Sequence, residues 1–149
     1  MSDTHAKSII RLGVDDTDHV DHACTTEHFN RLLSRLEESI DSVEIIERRL
    51  VRLWPFAPMR TRGNAALGAI CELKIPNLRD VESICQQFID DLHHEIKATY
   101  PETGERPSPC QITTTEPCPE SLYWKAVRGE VSLKSILNRL PNPSKFYTI

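Results

Sequence analysis

The stretch Leu78–Ile96, LRDVESICQQFIDDLHHEI, carries the clearest secondary-structure signal of this chain. Its apolar residues recur every three or four positions, which predicts a long amphipathic helix with one buried stripe. These residues are Leu78, Val81, Ile84, Cys85, Phe88, Ile89, Leu92 and Ile96. A proline and an asparagine, Pro76 and Asn77, separate the helix from the segment before it. We therefore expect this helix to cover one face of a sheet.

The segments on either side predict the strands of that sheet. Ile10, Leu12 and Val14 alternate with polar or small residues, which indicates a strand. The first strand ends at Asp15, and a helix follows from about Thr26 to Ser39, capped by the hydroxyl of Thr25 or Thr26. The other predicted elements are strands at Val43–Leu53 and Asn64–Lys74, the long helix, a loop at residues 101–109, a short strand at Cys110–Thr115, and helical stretches near Glu120–Val127 and Leu133–Leu140. The order β-α-β-β-α-β with a short helical tail is that of the ferredoxin-like split βαβ. We expect an α+β fold, a two-layer sandwich, in a single domain over residues 1–149.

Composition narrows the class of protein. The chain has 149 residues and a net charge of −4, so nucleic-acid binding would have to use a local basic patch. No apolar run is long enough for a membrane helix, and the N-terminal residues MSDTHAK lack the apolar region of a secretory signal, so we expect a cytoplasmic protein. Five cysteines without a CxxC pair argue against a disulfide framework or a zinc ribbon. We expect most of them to be reduced thiols in the core.

The acidic cluster after the first strand suggests metal and phosphate chemistry. Asp15, Asp16 and Asp18 lie within four residues, and their carboxylates can converge on a hard cation such as Mg²⁺. Thr25 and Thr26 open the next helix, whose N-terminus offers N–H groups and a positive dipole end to an anion. A phosphate could therefore bridge metal and helix. The alternative is a solvated acidic turn, since Asp is a preferred turn residue.

Two other interpretations of the same loop stay open. His19, His22, Cys24 and His28 are nitrogen and sulfur ligands that suit Zn²⁺, although their spacing matches no standard structural site. The residues from Asp16 to Val20 also fit the DxDx[TV] pattern of haloacid-dehalogenase-like phosphotransferases. That family resembles a parallel, Rossmann-like core, and this chain has too few βα units for it.

A basic stretch with aromatic residues provides a second candidate region. Arginine forks bind phosphate and aromatic rings stack on bases, although a strand with a basic outer face would give the same pattern. The stretch contains Arg48, Arg49, Arg52, Arg60 and Arg62 around Trp54 and Phe56. At its end, Gly63 permits a tight backbone path beside a ligand, and Asn64 can both donate and accept hydrogen bonds.

Taken together, two stretches resemble the archaeal tRNA-isoleucine 2-agmatinylcytidine (agmatidine) synthetases. They are GVDDTDHVDHACTTEHF, residues 13–29, and RLVRLWPFAPMRTRGNAALG, residues 49–68. The family pattern is a strand, G[IV]DDTD, a six-residue step to CTT, and then RL.RL.P..P.[KR]TRGN.A. The chain departs from it at His22, where the family has glycine, and at Trp54, where asparagine is usual.

The resemblance implies an ATP- and Mg²⁺-dependent, kinase-like domain of an ATP-dependent ligase. In that family the domain consumes ATP to activate the C2 oxygen of the wobble cytidine of a tRNA before agmatine displaces it. By resemblance, Asp15, Asp16 and Asp18 hold metal and phosphates, and Thr25 is the phosphate-accepting threonine. The residues implied to line the nucleotide are Thr17, Cys24, Thr26, Arg60, Thr61, Arg62, Gly63 and Asn64.

The resemblance covers most of this chain but only the first part of such a synthetase. The family continues with a glycine-rich RGLIGA-like segment, a ferredoxin-like domain, an OB domain and a zinc ribbon, none of which is visible in this sequence. We therefore expect either a piece of a longer synthetase or a free-standing relative with another acceptor. The alternative functions are a non-catalytic nucleotide-binding or regulatory module on the same scaffold, and a zinc-binding protein that uses the His/Cys loop.

Overall fold

The computed structural model describes residues 6–19, 24–58, 60, 64–141 and 144–148. The elements are β1 (Lys7–Asp15), α1 (Thr25–Ser39), β2 (Glu44–Arg52), β3 (Ala65–Lys74), α2 (Leu78–Thr99), β4 (Cys110–Thr114), α3 (Glu120–Arg128), α4 (Leu133–Leu137) and β5 (Ser144–Thr148), with a short 3₁₀ turn at Ile75–Asn77 ahead of α2. The predicted first strand, first helix, second and third strands and long helix are all confirmed, with ends that differ by a few residues at most.

The five strands form one antiparallel sheet in the order β2-β3-β1-β4-β5. Strand β1 lies at the centre, where Val14 pairs with Leu67 of β3 on one side and with Gln111 of β4 on the other. The first four strands have the order of the ferredoxin-like split βαβ. The predicted α+β architecture is therefore confirmed.

Helices α1 and α2 cover one face of the sheet. Alternate residues of each strand point to the same side, so one set from β1 and one from β3 face the helices. This set is buried and consists of Ile10, Leu12, Val14, Leu67, Ala69, Cys71 and Leu73. Helix α2 contributes its predicted stripe, which includes the fully buried Phe88, and α1 adds buried residues such as Leu36. Apolar residues recur every two positions in the strands and every 3.6 positions in the helices, and together they form one continuous core.

The C-terminal part differs from the prediction. A fifth strand, β5, follows the helical tail and pairs with β4, and α4 ends at Leu137 rather than near Leu140. Strand β5 is an outermost strand of the sheet, and Tyr147, which is 2% exposed, is its only buried residue. A single buried residue produces no periodicity, so the sequence pattern carried no signal for this strand.

Two smaller expectations were also wrong. Cys24 is the residue ahead of α1, with φ −132° and ψ 140°, and neither threonine hydroxyl caps the helix because Thr25 is already its first residue. Of the five cysteines, which are all free thiols, only Cys71 and Cys85 are buried. Burial raises the pKa of each of these two thiols to about 11. Within the described ranges, no helix has the length and apolar content required to cross a bilayer.

Candidate functional site

Two of the predicted site residues, Asp15 and Asn64, lie at the same end of the sheet. Since β1 runs antiparallel to β3 and β4, the end of β1 lies beside the beginnings of both neighbours. Asp15 pairs with Cys110, the first residue of β4, and β3 begins at Ala65, directly after Asn64. The acidic loop and the end of the TRGN stretch, residues 61–64, therefore lie at the same end of the sheet. We call this end, where β1 ends and β3 and β4 begin, the β1 edge. Thr61, Arg62 and Gly63, three predicted nucleotide contacts, lie outside the described residues, as does His22.

The carboxylates at this edge repel one another in a partly desolvated position. Burial raises the pKa of Asp16 to about 6, and the charge of Asp15 adds to the increase, against a hydrogen bond from the backbone of Ser108. The pKa of Asp15 is also raised, mainly by burial, with a smaller contribution from Asp18. Asp16 has φ 55°, in the left-handed region that Asp tolerates better than most residues. A cation at this position would relieve the repulsion.

The described residues contain no preformed metal centre. Among residues 6–19, 24–58, 60, 64–141 and 144–148, no three His, Cys, Asp or Glu side chains are grouped closely enough to hold an ion, so Asp15, Asp16 and Asp18 do not converge on one position as the sequence suggested. Magnesium commonly uses only one or two carboxylates and completes its shell with waters and phosphate oxygens. A structural zinc site needs four protein ligands in a closed tetrahedron, so the zinc hypothesis has no support in the described part of the chain. The antiparallel sheet also excludes the haloacid-dehalogenase alternative, which requires a parallel core.

A buried hydrogen bond attaches the acidic loop to α1. The hydroxyl of Thr17 lies 2.8 Å from Nδ1 of His28, and both side chains are almost completely buried. Burial lowers the pKa of His28, and the positive charge of Arg31 lowers it further, so the neutral ring is favoured. Thr17 therefore faces the protein interior, and we interpret it as a residue that positions the loop. One sequence signal pointed to His28, a polar residue at a buried helical position beside Phe29.

The N-terminus of α1 faces the same loop with its first N–H groups outside the helical ladder. The first helical hydrogen bond runs from the N–H of His28 to the carbonyl of Cys24, at 3.1 Å, so the N–H groups of residues 25–27 precede it. The side chain of Cys24 does not cap these groups. An N-terminus of this kind attracts anions. Thr25 is only 7% exposed, whereas Thr26 is exposed.

The second candidate region is partly occupied by contacts within the fold. Asn64, with φ 51°, donates from Nδ2 to the carbonyl of Trp54 at 2.8 Å and accepts from the N–H of Leu53 at 2.7 Å, which closes the β2–β3 loop. Arg48 donates to Asn30 of α1, and Arg49 pairs with Glu47. These two arginines fit the alternative of a strand with a basic surface. Arg60 is exposed and donates to the carbonyl of Ala57 at 3.0 Å.

The raised pKa of Asp16 predicts a pH-dependent stability in metal-free protein. Folded Asp16 keeps its proton up to about pH 6, whereas an unfolded aspartic acid loses it near pH 4. Between these values the folded chain binds more protons, so this residue's contribution to the free energy of unfolding falls as the pH rises. Above pH 6 we expect Asp16→Asn to be more stable than the wild type by on the order of 1 kcal/mol, after allowing for solvent screening.

Urea unfolding with a chelator, at pH 4 and pH 7, measures this difference. The titration of His28 has the opposite sign, since a lowered histidine pKa destabilises the fold as the pH falls, but it cancels between the two proteins. Equal stabilities at pH 7 would show that Asp16 carries no such penalty.

Comparison with known proteins agrees with the resemblance of the two motifs. The TiaS TCKD domain family matches residues 11–146. The tRNA-isoleucine 2-agmatinylcytidine synthetase TiaS of Caldivirga maquilingensis is 30% identical over 125 residues, which cover 83% of this chain and 28% of that protein. The synthetase of the same name from Methanopyrus kandleri is 34% identical over 118 residues, or 78% of this chain and 25% of that protein. The chain thus spans about a quarter of the length of these relatives.

Solved structures with the same fold include two complexes of TiaS. The complex of TiaS with isoleucine tRNA and ATP has a TM-score of 0.64 at 23% identity and covers 88% of this chain and 30% of that chain. The complex of TiaS with isoleucine tRNA, AMPCPP and agmatine has a TM-score of 0.60 at 20% identity and covers 94% of this chain and 33% of that chain. A tRNA fluorescent labeling enzyme has a TM-score of 0.71 at 21% identity, over 95% of this chain and 32% of that chain.

Proposed function

Because the chain belongs to the TiaS TCKD domain family, we propose that it is the ATP-using part of a tRNA agmatidine synthetase, an ATP-dependent ligase of tRNA modification. Its relatives are named as tRNA-isoleucine 2-agmatinylcytidine synthetases, and the chain matches about a quarter of their length. That this chain takes part in the complete synthetase reaction, with tRNA and agmatine as partners, is therefore part of the proposal. A cytoplasmic location belongs to the same proposal.

One juxtaposition supports this function more than any other. Asp15 ends β1 and Asp16 follows it, and α1 begins at Thr25 with no capping bond from the side chain of Cys24. The bond between Thr17 and His28 ties the loop between them to the helix. The edge thus combines negative groups for a cation with a positive helix end for an anion, the combination that a metal-bound polyphosphate requires.

The donor set at this edge fits Mg²⁺ with ATP. Asp15 and Asp16 would hold the cation, with Asp18 close enough to influence both, and phosphate oxygens would complete the shell. Bound Mg²⁺ would supply neutralisation of the phosphate charge. The N–H groups at the start of α1 would hold phosphate oxygens, and Arg60 and Asn64 would approach the nucleotide from the β2–β3 loop.

Thr25 is the proposed acceptor of the γ-phosphoryl group, on the basis of the family motif. Transfer would form a bond between its hydroxyl oxygen and the γ-phosphorus while the bond to the leaving ADP breaks, and the hydroxyl proton would be lost to water. In the free protein Thr25 is 7% exposed, and its exposed neighbour Thr26 is the competing hydroxyl.

Calorimetric titration of the chain with ATP, with and without Mg²⁺, tests this function. We expect saturable binding that requires the metal, because the carboxylates would otherwise repel the phosphates. Asp16→Asn should weaken the binding, and Asp41→Asn, an exposed aspartate in the turn after α1, should not. Binding without transfer would indicate the regulatory alternative, and absence of binding would refute the proposal.

A further inference from the structure

A second ligand-sized surface lies between α3 and α4. A cavity of about 490 Å³ is lined there by residues from both helices and from the connection between them, among them Trp124, Lys125, Arg128, Glu130, Ser132 and Ser135. We call it the α3–α4 hollow. None of these residues belongs to the acidic loop, so the hollow is separate from the proposed ATP site.

The indole of Trp124 is held in place and remains accessible. Its Nε1–H donates to Glu120 at 3.1 Å, and the guanidinium of Arg128 lies 4.7 Å from the centre of its ring. Tyr123 packs edge-on against it at 4.9 Å between ring centres. Trp124 is nevertheless 41% exposed. The guanidinium lies over the indole, and the part of the ring that stays exposed suits a planar ligand such as a nucleobase.

The charge around the hollow is opposite to that of the whole chain. Residues 120–139 contain four cationic side chains and two carboxylates, whereas the chain has a net charge of −4. The cationic residues are Lys125, Arg128, Lys134 and Arg139. Arg139 donates to Ser121, which brings this positive charge back onto α3. A local basic surface with an aromatic residue is the pattern that binds a single-stranded nucleic acid.

Hydrogen bonds connect the hollow to the proposed site. The N–H of Trp54 donates to the carbonyl of Ala126 in α3 at 3.0 Å, and the carbonyl of Trp54 accepts from Asn64 at 2.8 Å. Helix α3 is thus joined to the loop that ends in the TRGN stretch.

We propose that the α3–α4 hollow binds one unpaired nucleotide of a single-stranded RNA segment. The base stacks on Trp124, and the phosphate contacts Lys125 and Arg128. The identity of the partner as RNA rests on the proposed function, whereas the stacking and the charge come from the hollow itself.

Tryptophan fluorescence during titration with a short oligouridylate tests the assignment. The chain has two tryptophans, so Trp54→Phe leaves Trp124 as the only one and keeps the backbone groups that contact Asn64 and Ala126. In this background we expect quenching on binding, an affinity that falls with added salt, and a loss when the oligonucleotide lacks bases.

Two variants, compared by electrophoretic mobility shift or anisotropy, complete the test. Trp124→Leu and Arg128→Gln should each weaken oligouridylate binding by about tenfold, the loss expected for one stacked base or one close phosphate contact. Arg79→Gln, which removes an exposed arginine from α2, is the matched control and should bind normally. Arg128 is exposed, so its variant keeps the test valid if Trp124→Leu does not fold.

Unchanged affinity in both variants would overturn the proposal, as would quenching of Trp124 by ATP alone or by a peptide but not by the oligonucleotide. Calorimetric ATP binding, measured on the same proteins, reports separately on the proposed function. A wild type that binds ATP but whose RNA affinity does not depend on the hollow would refute only this inference.

Discussion

Replacement of Asp16 by asparagine is expected to lower magnesium-dependent phosphoryl transfer from ATP by about a hundredfold or more. The substitution keeps the shape of the side chain and removes the charge that would hold the cation, and metal stabilisation of transition-state charge is worth several kcal/mol. Transfer of label from γ-labelled ATP to the chain, in the presence of Mg²⁺, measures the rate.

The raised pKa of Asp16 allows a loss of activity in Asp16→Asn to be distinguished from a loss of stability. Its raised pKa means that the charged carboxylate destabilises the folded state at neutral pH, so Asp16→Asn should be at least as stable as the wild type while it loses activity. Asp41→Asn removes an exposed charge away from the sheet edge and should retain full activity. An active Asp16→Asn protein would exclude Asp16 as a metal ligand.

Replacement of Thr25 by alanine is expected to abolish label on the chain, because the proposed acceptor oxygen is gone. Thr25→Ser restores a hydroxyl at the same position and should recover part of the labelling. Thr26→Ala is the matched control, since it removes the neighbouring, exposed hydroxyl from the same helical turn. Label that persists in Thr25→Ala and disappears in Thr26→Ala would reassign the acceptor to Thr26.

Mass spectrometry of the labelled wild type identifies the modified residue directly. A phosphate on the peptide that contains Thr25 and Thr26, localised to Thr25 by fragmentation, is the expected result. A phosphate at any residue outside the acidic loop and α1 would contradict the proposed geometry.

The parts of the fold that the sequence predicted are those with many buried residues in register. Helix α2 has six buried positions at helical spacing, and β3 has four at a spacing of two. Strand β5 has one, Tyr147, whose burial depends on a partner strand more than thirty residues earlier in the chain. Local patterns carry no information on such a long-range pairing, and the strand was missed.

The features of the candidate site that depend on local sequence were predicted, and those that depend on distant contacts were not. The acidic cluster at the end of β1 and the helix that follows it were predicted, because both depend on local sequence. The contact between Thr17 and His28 was not, since it requires the relative position of the loop and the helix. Arg48 pairs with Glu37, and Arg49 pairs with Glu47. The spacing of the arginines in the sequence did not distinguish these two from arginines that are available to a ligand.

If the end of β1 and the start of α1 bind one metal–phosphate ligand together, their backbone amides respond together. Two-dimensional amide NMR of the isotope-labelled chain, recorded during addition of ATP with Mg²⁺, measures this response. We expect shifts in the amide signals of Asp15, Asp16, Asn64 and residues 25–27, which ATP without the metal does not reproduce. Shifts confined to another surface, such as the α3–α4 hollow, or no shifts at high ATP concentration, would contradict this expectation.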